Sequence, residues 1–154
     1  MDINNIRLDT KCYHEYMRQS RDKRKDYLLA KYRSHGKTRL HHEGLPEVAV
    51  NIRSMGHSDN SRITPEKIMV LCDRNRLDAI FKAGTSRQEP VVFVDKNAIR
   101  KGKYAIDNNK LDWAECWHVT GRAGINGRSL RYDFTVVKLI SNGKYVVYDL
   151  TMRE

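Results

Sequence analysis

Residues 130 to 151 read LRYDFTVVKLISNGKYVVYDLT, with a turn signal between two apolar-rich halves. From Leu130 to Val136 an apolar side chain takes every second position, which is the period of a strand with one covered face. The Ser-Asn-Gly at 141 to 143 is typical of a tight turn between antiparallel strands. The stretch therefore predicts a β-hairpin whose second strand runs from Lys144 to Thr151.

Two more segments before this hairpin have the character of strands. Val91 to Asp95 (VVFVD) is a short apolar run after a proline, and Trp113 to Thr120 (WAECWHVT) alternates bulky and smaller residues. With the hairpin they predict a four-stranded, mainly antiparallel sheet. A separate short strand is predicted from Val48 to Ile52.

The first half of the chain is typical of helices. Thr64-Pro65-Glu66 combines a hydroxyl cap, a proline at the first helical position and an acid in the first turn. The apolar stripe changes side further on, so we expect a break near Asn75 and a second helix that ends before Gly84. Asp9 or Thr10 can cap an earlier helix that runs to about Ser34.

This order of elements favours an α+β fold, in which an N-terminal basic helix and a short helix pair pack on the sheet. The 154 residues fit one domain, 1–154, made of a basic helical part at 1–42 and an α+β core at 43–154. No repeat or linker divides the chain.

Positive charge is the strongest compositional signal. The chain has 29 Lys and Arg against 19 Asp and Glu, a net charge of +10, and residues 1–42 carry eleven of the bases, five of the acids and four of the eight tyrosines. A basic and aromatic surface pairs with phosphates and stacks on bases. The alternative is a solvated helix face whose tyrosines pack on the core. The candidate contacts are Arg18, Arg21, Lys23, Arg24, Lys25 and Lys31.

A second basic group lies in the segment GRAGINGR at 121 to 128. Its glycines would let backbone amides approach a phosphate, and the guanidinium groups of Arg122, Arg128 and Arg131 would clamp it. The alternative is an ordinary hairpin with Asn-Gly as its turn.

Two histidines lie near arginines and are candidates for acid–base chemistry. His118 is on a predicted strand, and Glu115 on the same strand has the opposite parity, so the two point to different faces. His57 precedes a helix start, with Arg62 close behind, where backbone amides can hold a phosphate. For each histidine, a structural role or no role is the alternative.

Metal and membrane binding find little support in the sequence. The three cysteines are odd in number and far apart, which argues against a disulfide framework or a zinc motif, and no acid or cysteine completes a ligand set around His35, His41 and His42. We expect no metal and no cofactor. The start MDINNIRLDT lacks the apolar core of a signal peptide, and no stretch is long and apolar enough for a membrane span, so we expect a cytoplasmic protein that binds no membrane.

The layout of about residues 57 to 154 resembles the small metal-independent ribonucleases grouped around RelE, RegB, the colicin ribonucleases and barnase. The resemblance is carried by HSDNSRITPEKIMVLC at 57 to 72, by WHVTGRAG at 117 to 124 and by the hairpin. It implies attack of a ribose 2′-hydroxyl on the adjacent phosphate. His118 or His57 would be acid or base, Arg122, Arg128 and Arg131 would stabilise the phosphorane, and Tyr132 and Tyr148 would stack on a base or orient a phosphate.

The sequence departs from this family because no His and Glu are clearly paired on one strand face. We therefore expect an RNA-binding protein, with endoribonuclease activity as a further step, and the size and chemistry suit a phage protein. Two alternatives stay open. One is a DNA-binding protein of low specificity that uses the helix pair from Thr64 to Gly84. The other is an interaction protein that docks on an acidic partner.

Overall fold

The computed structural model describes residues 2 to 34, 39 to 50, 64 to 91 and 113 to 154. Within these ranges the chain is α+β, as the sequence predicts. The helices are α1 (Lys11–Arg18), α2 (Arg24–Ser34), α3 (Pro65–Leu71) and α4 (Arg74–Ala83); the strands are β1 (Arg39–Leu40), β2 (Val48–Val50), β3 (Thr85–Glu89), β4 (Trp113–Ile125), β5 (Arg128–Leu139) and β6 (Tyr145–Arg153). None of these helices is long and apolar enough to cross a membrane.

The strands form one mixed sheet in the order β1-β2-β6-β5-β4-β3. Only β2 and β6 pair in parallel; the other neighbours are antiparallel. The prediction of four strands is therefore corrected to six among the described residues. β1 and β3 were not predicted from the sequence, and residues 92 to 95 of the first predicted strand lie outside the described ranges.

One face of the sheet is covered by the helices and holds the core. Along β4 and β5 most buried side chains are those of one parity, with Val119, Ala123, Leu130 and Phe134 fully buried, whereas Cys116 and Val137 are buried with the other parity. They pack with Phe81 of α4, whose ring meets the Phe134 ring edge to face at 5.0 Å. We call this the covered face, and the side that carries the alternate residues the open face.

The helices differ from the sequence expectation in where they break. The long N-terminal helix is two helices, because Gln19 adopts an extended conformation after α1. Between the helix pair, the break comes at Cys72 and Asp73 rather than near Asn75, since the Asp73 carboxylate accepts the amide of Arg76 and caps α4. Thr64 caps α3 as predicted, through the amide of Lys67.

A disulfide joins Cys12 of α1 to Cys72 at the end of α3. The sequence argument against disulfides is therefore wrong for this pair, whose Cα atoms lie 6.4 Å apart although 60 positions separate them. The pairing could not be predicted from the sequence, because the two cysteines become neighbours only when α1 packs on α3. The third cysteine, Cys116, is buried and takes no part in a disulfide.

The tip of the β4–β5 hairpin is fixed to the N-terminal segment. Asn126 and Gly127 both have positive φ, 49° and 85°, as a two-residue turn of this hand requires. The Asn126 side chain accepts the amide of Leu8 at 2.8 Å and donates to the carbonyl of Leu8 at 3.0 Å. Ile6 pairs with Ile125 as a short parallel bridge. The hairpin with Asn-Gly as its turn, which the sequence left as the alternative to a phosphate loop, is the one observed, and it is tethered to the N-terminal segment.

Replacing Asn126 with alanine should lower the free energy of unfolding by about 2 to 3 kcal/mol, because its hydrogen bonds to the backbone of Leu8 and to Met69 Sδ are lost and alanine tolerates positive φ poorly. Urea unfolding measures the change. The matched control is Asn142→Ala in the other hairpin, where the exposed side chain accepts the amide of Lys144 and has no other hydrogen bond to a described residue. Equal losses in the two variants would contradict the tether.

Candidate functional site on the open face

Three arginines form a row across the open face. Strand register places Arg122 of β4 opposite Arg131 of β5, and Arg131 opposite Arg153 of β6. All three side chains are exposed. Directly opposite residues on neighbouring strands lie about 5 Å apart, so this arginine row concentrates three positive charges within about 10 Å.

Within the described part of the chain, the arginine row has no carboxylate partner. Arg122 donates instead to the hydroxyl of Ser129 at 3.3 Å. Like charges directly opposite each other on a sheet are destabilising. Anion binding would relieve the repulsion, and guanidinium groups are well suited to phosphate because they bind it in a bidentate manner.

Further along the same face, His118 lies between two carboxylates. Its Nδ1 is 2.8 Å from Asp133 Oδ1 on β5, and its Nε2 is 2.5 Å from Glu89 Oε2 on β3. The histidine side chain is 18% exposed, against 40% for Asp133 and 54% for Glu89. The imidazole is therefore held from both sides while the Glu89 end opens to solvent.

These contacts shift the pKa values of both partners. Burial lowers the pKa of His118, but the hydrogen bonds and negative charges of Asp133 and Glu89 outweigh burial, so the pKa lies above its ordinary value. The pKa of Glu89 is lowered, chiefly by its hydrogen bond to His118 and then by the histidine's charge. The cluster therefore stabilises charged forms of both groups.

Two residues of this cluster were missed by the sequence analysis because they lie on β3. The register sets Arg87 opposite His118, and Glu89 opposite Cys116. Residues 85 to 89 read TSRQE and contain no apolar residue, so no hydrophobic period marks them as a strand. The His and Glu pair that the sequence lacks on one strand is thus made across two strands.

Cys116 adds a third kind of ligand atom to the cluster. Its Sγ is 3.8 Å from Glu89 Oε2. The ligand atoms of Glu89, Cys116 and His118 lie within 4.8 Å of one another, and this is the one group with such an arrangement of His, Cys, Asp or Glu found among the described residues.

Two of the predicted contacts point to the covered side of the sheet. Arg128 donates to Glu66 Oε1 and to Glu154 Oε1, each at 2.8 to 2.9 Å, so its charge is already neutralised. Tyr132 is 2% exposed and packs on Phe134. A buried ring cannot stack on a base, so Tyr132 does not belong to a nucleic-acid surface.

The glycines of the predicted phosphate loop have structural explanations instead. Gly121 and Gly124 belong to β4, and the loop shrinks to the two-residue turn. A Cβ at Gly121 would lie 2.5 Å from Tyr132 Oη, and the amide of Gly124 donates to the carbonyl of Ile3 at 2.8 Å. Tyr148 packs edge to face on Trp113, with ring centroids 5.0 Å apart.

The N-terminal basic residues lie in the helical layer, across the sheet from the arginine row. Arg18, Arg21 and Lys23 are exposed. The others are partly engaged: the Arg24 guanidinium lies over the Tyr16 ring, Lys25 is half-buried, and Lys31 pairs with Glu15 at 3.8 Å. Tyr16 itself is 4% exposed and belongs to the core.

The predicted site residues His57 and Arg62 lie outside the described ranges, as does His35. The structure does describe the two other histidines that were weighed as metal ligands. His42 donates from Nε2 to the carbonyl of Gly84 at 2.6 Å and accepts the amide of Gly44 at Nδ1, so its role is structural. His41 lies 3.5 Å from a carboxylate oxygen of Asp78 on one side and of Glu47 on the other.

Comparisons of the chain with protein-family models, with curated proteins and with solved structures found no match. The side chains of the open face are therefore the basis of the functional proposal.

Proposed function

We propose that this protein binds single-stranded RNA across the open face of its sheet. The observation that carries the proposal is the arginine row of Arg122, Arg131 and Arg153, which is exposed and has no carboxylate partner among the described residues. Phosphate contacts supply most of the affinity of a nucleic-acid-binding protein and need no particular base sequence.

The contrast with other cations supports a binding role for this row. On the covered side and at the sheet edges, Arg128, Lys138, Lys67 and Arg39 each have a carboxylate within 4.0 Å. These four cations, whose ion pairs stabilise the fold, are thus neutralised by neighbouring acids. The arginine row instead destabilises the fold by repulsion between like charges, and a bound polyanion would offset that repulsion.

RNA cleavage is the second function, favoured by the pairing of Glu89 with His118. His118 lies about 13 Å along β4 from Arg122, so RNA held by the row extends over the histidine. The 2′-hydroxyl oxygen attacks the adjacent phosphorus while its proton passes to the Glu89 carboxylate. His118 gives a proton to the leaving 5′-oxygen, and the products are a 2′,3′-cyclic phosphate and a 5′-hydroxyl.

Arg87 is the group placed to stabilise charge on the reacting phosphate. It is the direct cross-strand neighbour of His118 and is exposed. A guanidinium at that position meets the negative charge that develops on the phosphorane oxygens. The arginine row is too far along the strand for this role and holds flanking phosphates instead.

The structure favours RNA binding by the open face over DNA binding by the helix pair. A DNA-binding helix pair needs an exposed recognition helix, yet α3 is buried from Glu66 to Leu71 and α4 buries Leu77, Ile80 and Phe81. An acidic protein partner would be recognised by the same arginines. Competition of RNA, duplex DNA and an acidic polypeptide for one labelled RNA separates the three ligands.

Replacing the three arginines of the row with glutamine should weaken binding of a labelled single-stranded RNA about a hundredfold at 0.1 M salt, and reduce the slope of log K against log salt by about 2. Filter binding or fluorescence anisotropy over a series of salt concentrations measures both quantities.

The matched control replaces Arg18, Arg21 and Lys23 with glutamine, which removes the same charge from the helical layer. This control should retain most of the affinity. If it loses as much as the open-face variant, affinity reflects net charge alone and the proposed interface is wrong.

A further inference from the structure

The side chains of Glu89, Cys116 and His118 bring three kinds of donor atom together on the open face. His118 Nε2 and Cys116 Sγ lie 2.5 Å and 3.8 Å from Glu89 Oε2, respectively. A tetrahedral Zn²⁺ holds nitrogen and oxygen at about 2.0 to 2.2 Å and sulfur at about 2.3 Å, which sets its ligand atoms roughly 3.3 to 3.7 Å apart. All three ligand atoms lie within 4.8 Å of one another, and an outward rotation of the Glu89 carboxylate would lengthen its short distance to Nε2.

The sheet leaves the Glu89 side chain room to rotate and holds Cys116 and His118 in place. Glu89 is 54% exposed at the end of β3, an edge strand. Cys116 is buried, and His118 lies two positions further along β4, between β3 and β5. The sheet therefore fixes Cys116 and His118, whereas the exposed Glu89 carboxylate can rotate.

Asp133 supplies the second feature expected of a metal site. Its Oδ1 is 2.8 Å from His118 Nδ1, so it accepts the Nδ1 proton and leaves Nε2 directed at Glu89. A carboxylate that holds the distal nitrogen of a histidine in this way orients the ring and raises its basicity as a ligand. Asp133 would be a positioning residue, not a ligand.

We infer that Glu89, Cys116 and His118 form a binding site for Zn²⁺, with Asp133 positioning His118. This set departs from the sequence expectation of no metal, because its ligands come from two strands and have no motif spacing. Thiolate and imidazole together favour zinc over magnesium or calcium. Three protein ligands leave a fourth position open to water or to an anion on the Glu89 side.

The site stands independently of the proposed RNA binding, but it has a consequence for cleavage. Zn²⁺ would occupy Nε2 of His118 and the Glu89 carboxylate, the same groups that cleavage uses. Metal binding and proton transfer by this pair exclude each other, so Zn²⁺ would inhibit cleavage while the arginine row still held RNA.

The test is a titration of the chelator-treated, untagged, disulfide-intact protein with Co²⁺. We expect one equivalent to give visible absorption of a four-coordinate ion with a near-ultraviolet thiolate band, and Zn²⁺ to displace it. Cys116→Ser should abolish the thiolate band, and Asp133→Asn should keep it while weakening affinity 10- to 100-fold. The matched control His41→Ala, which removes another histidine between two acids, should bind as the parent does.

Absence of a thiolate band at millimolar Co²⁺, or an unchanged band in Cys116→Ser, would overturn the inference. Because a core variant can unfold, Glu89→Gln at the exposed position is the second test, and it should weaken Co²⁺ binding with the fold intact by circular dichroism. Cleavage that continues with Zn²⁺ bound would refute the acid–base role of His118 and leave the metal site standing. A parent protein that binds Co²⁺ but does not bind RNA would refute RNA binding by the arginine row and leave the metal site standing.

Discussion

Replacing His118 with alanine is expected to slow RNA cleavage about a thousandfold, within the range that removal of a general acid or base produces, and to leave RNA affinity nearly unchanged. The reason is the separation of functions on the open face: the imidazole is held by Asp133 and Glu89, whereas phosphates are held by the arginine row. Cleavage of an end-labelled RNA in EDTA, with identification of the 2′,3′-cyclic phosphate, measures the first effect. Anisotropy measures the second.

His41→Ala is the matched control, because His41 also lies between two carboxylates but on the loop between β1 and β2. It should cleave at the parent rate. The His118 variant should keep its fold, since the side chains of Asp133 and Glu89 are substantially exposed and solvent can take over their hydrogen bonds. Equal cleavage by the His118 variant and the parent would place the chemistry elsewhere, with His57 as the next residue to replace.

The covered face of the sheet is predictable from the sequence because its buried apolar residues recur at every second position of a strand. The alternation from Leu130 to Val136 and the turns at Asn126 and Asn142 are confirmed by the register of β4, β5 and β6. Apolar residues must be removed from water, so their spacing reports which face is covered. The helix pair was predictable for a related reason: the Thr64 cap and Pro65 satisfy local rules.

The open face is less predictable because polar residues obey no such rule. Arg87 and Glu89 lie on a polar edge strand whose existence depends on pairing with β4. The face on which Arg153 lies could have been predicted, since the alternation of Asp149 and Thr151 continues to it. Its alignment with Arg131 could not, because the register depends on the irregularity between Thr135 and Val136. Sequence identifies which residues share a face of one strand, whereas cross-strand neighbours depend on register.

The placement of charge on the fold is the part that the sequence predicts least. The sequence indicates two basic groups, the N-terminal residues and the segment from 121 to 128. In the fold, Arg18 and Arg21 lie on the helical layer and Arg128 is paired with two acids. Net charge is a property of composition, but a binding surface depends on which cations lack carboxylates nearby.

Breaking the disulfide between Cys12 and Cys72 should lower the free energy of unfolding by about 4 kcal/mol, because the bond closes a loop of about 60 residues and restricts the unfolded chain accordingly. For a domain of this size the melting temperature should fall by roughly 10 °C. Calorimetry with and without a reductant measures the change, and a thiol assay should rise from one free thiol to three.

The double variant Cys12→Ser/Cys72→Ser distinguishes this effect from any other action of the reductant. It should melt at the lower temperature from the start and show no further change when the reductant is added. Cys116→Ser, in contrast, should keep the full response, because Cys116 takes no part in the bond. A parent protein with three free thiols and an unchanged melting temperature would contradict the prediction. Since disulfides persist mainly in oxidising compartments, a confirmed bond would also count against the expected cytoplasmic location.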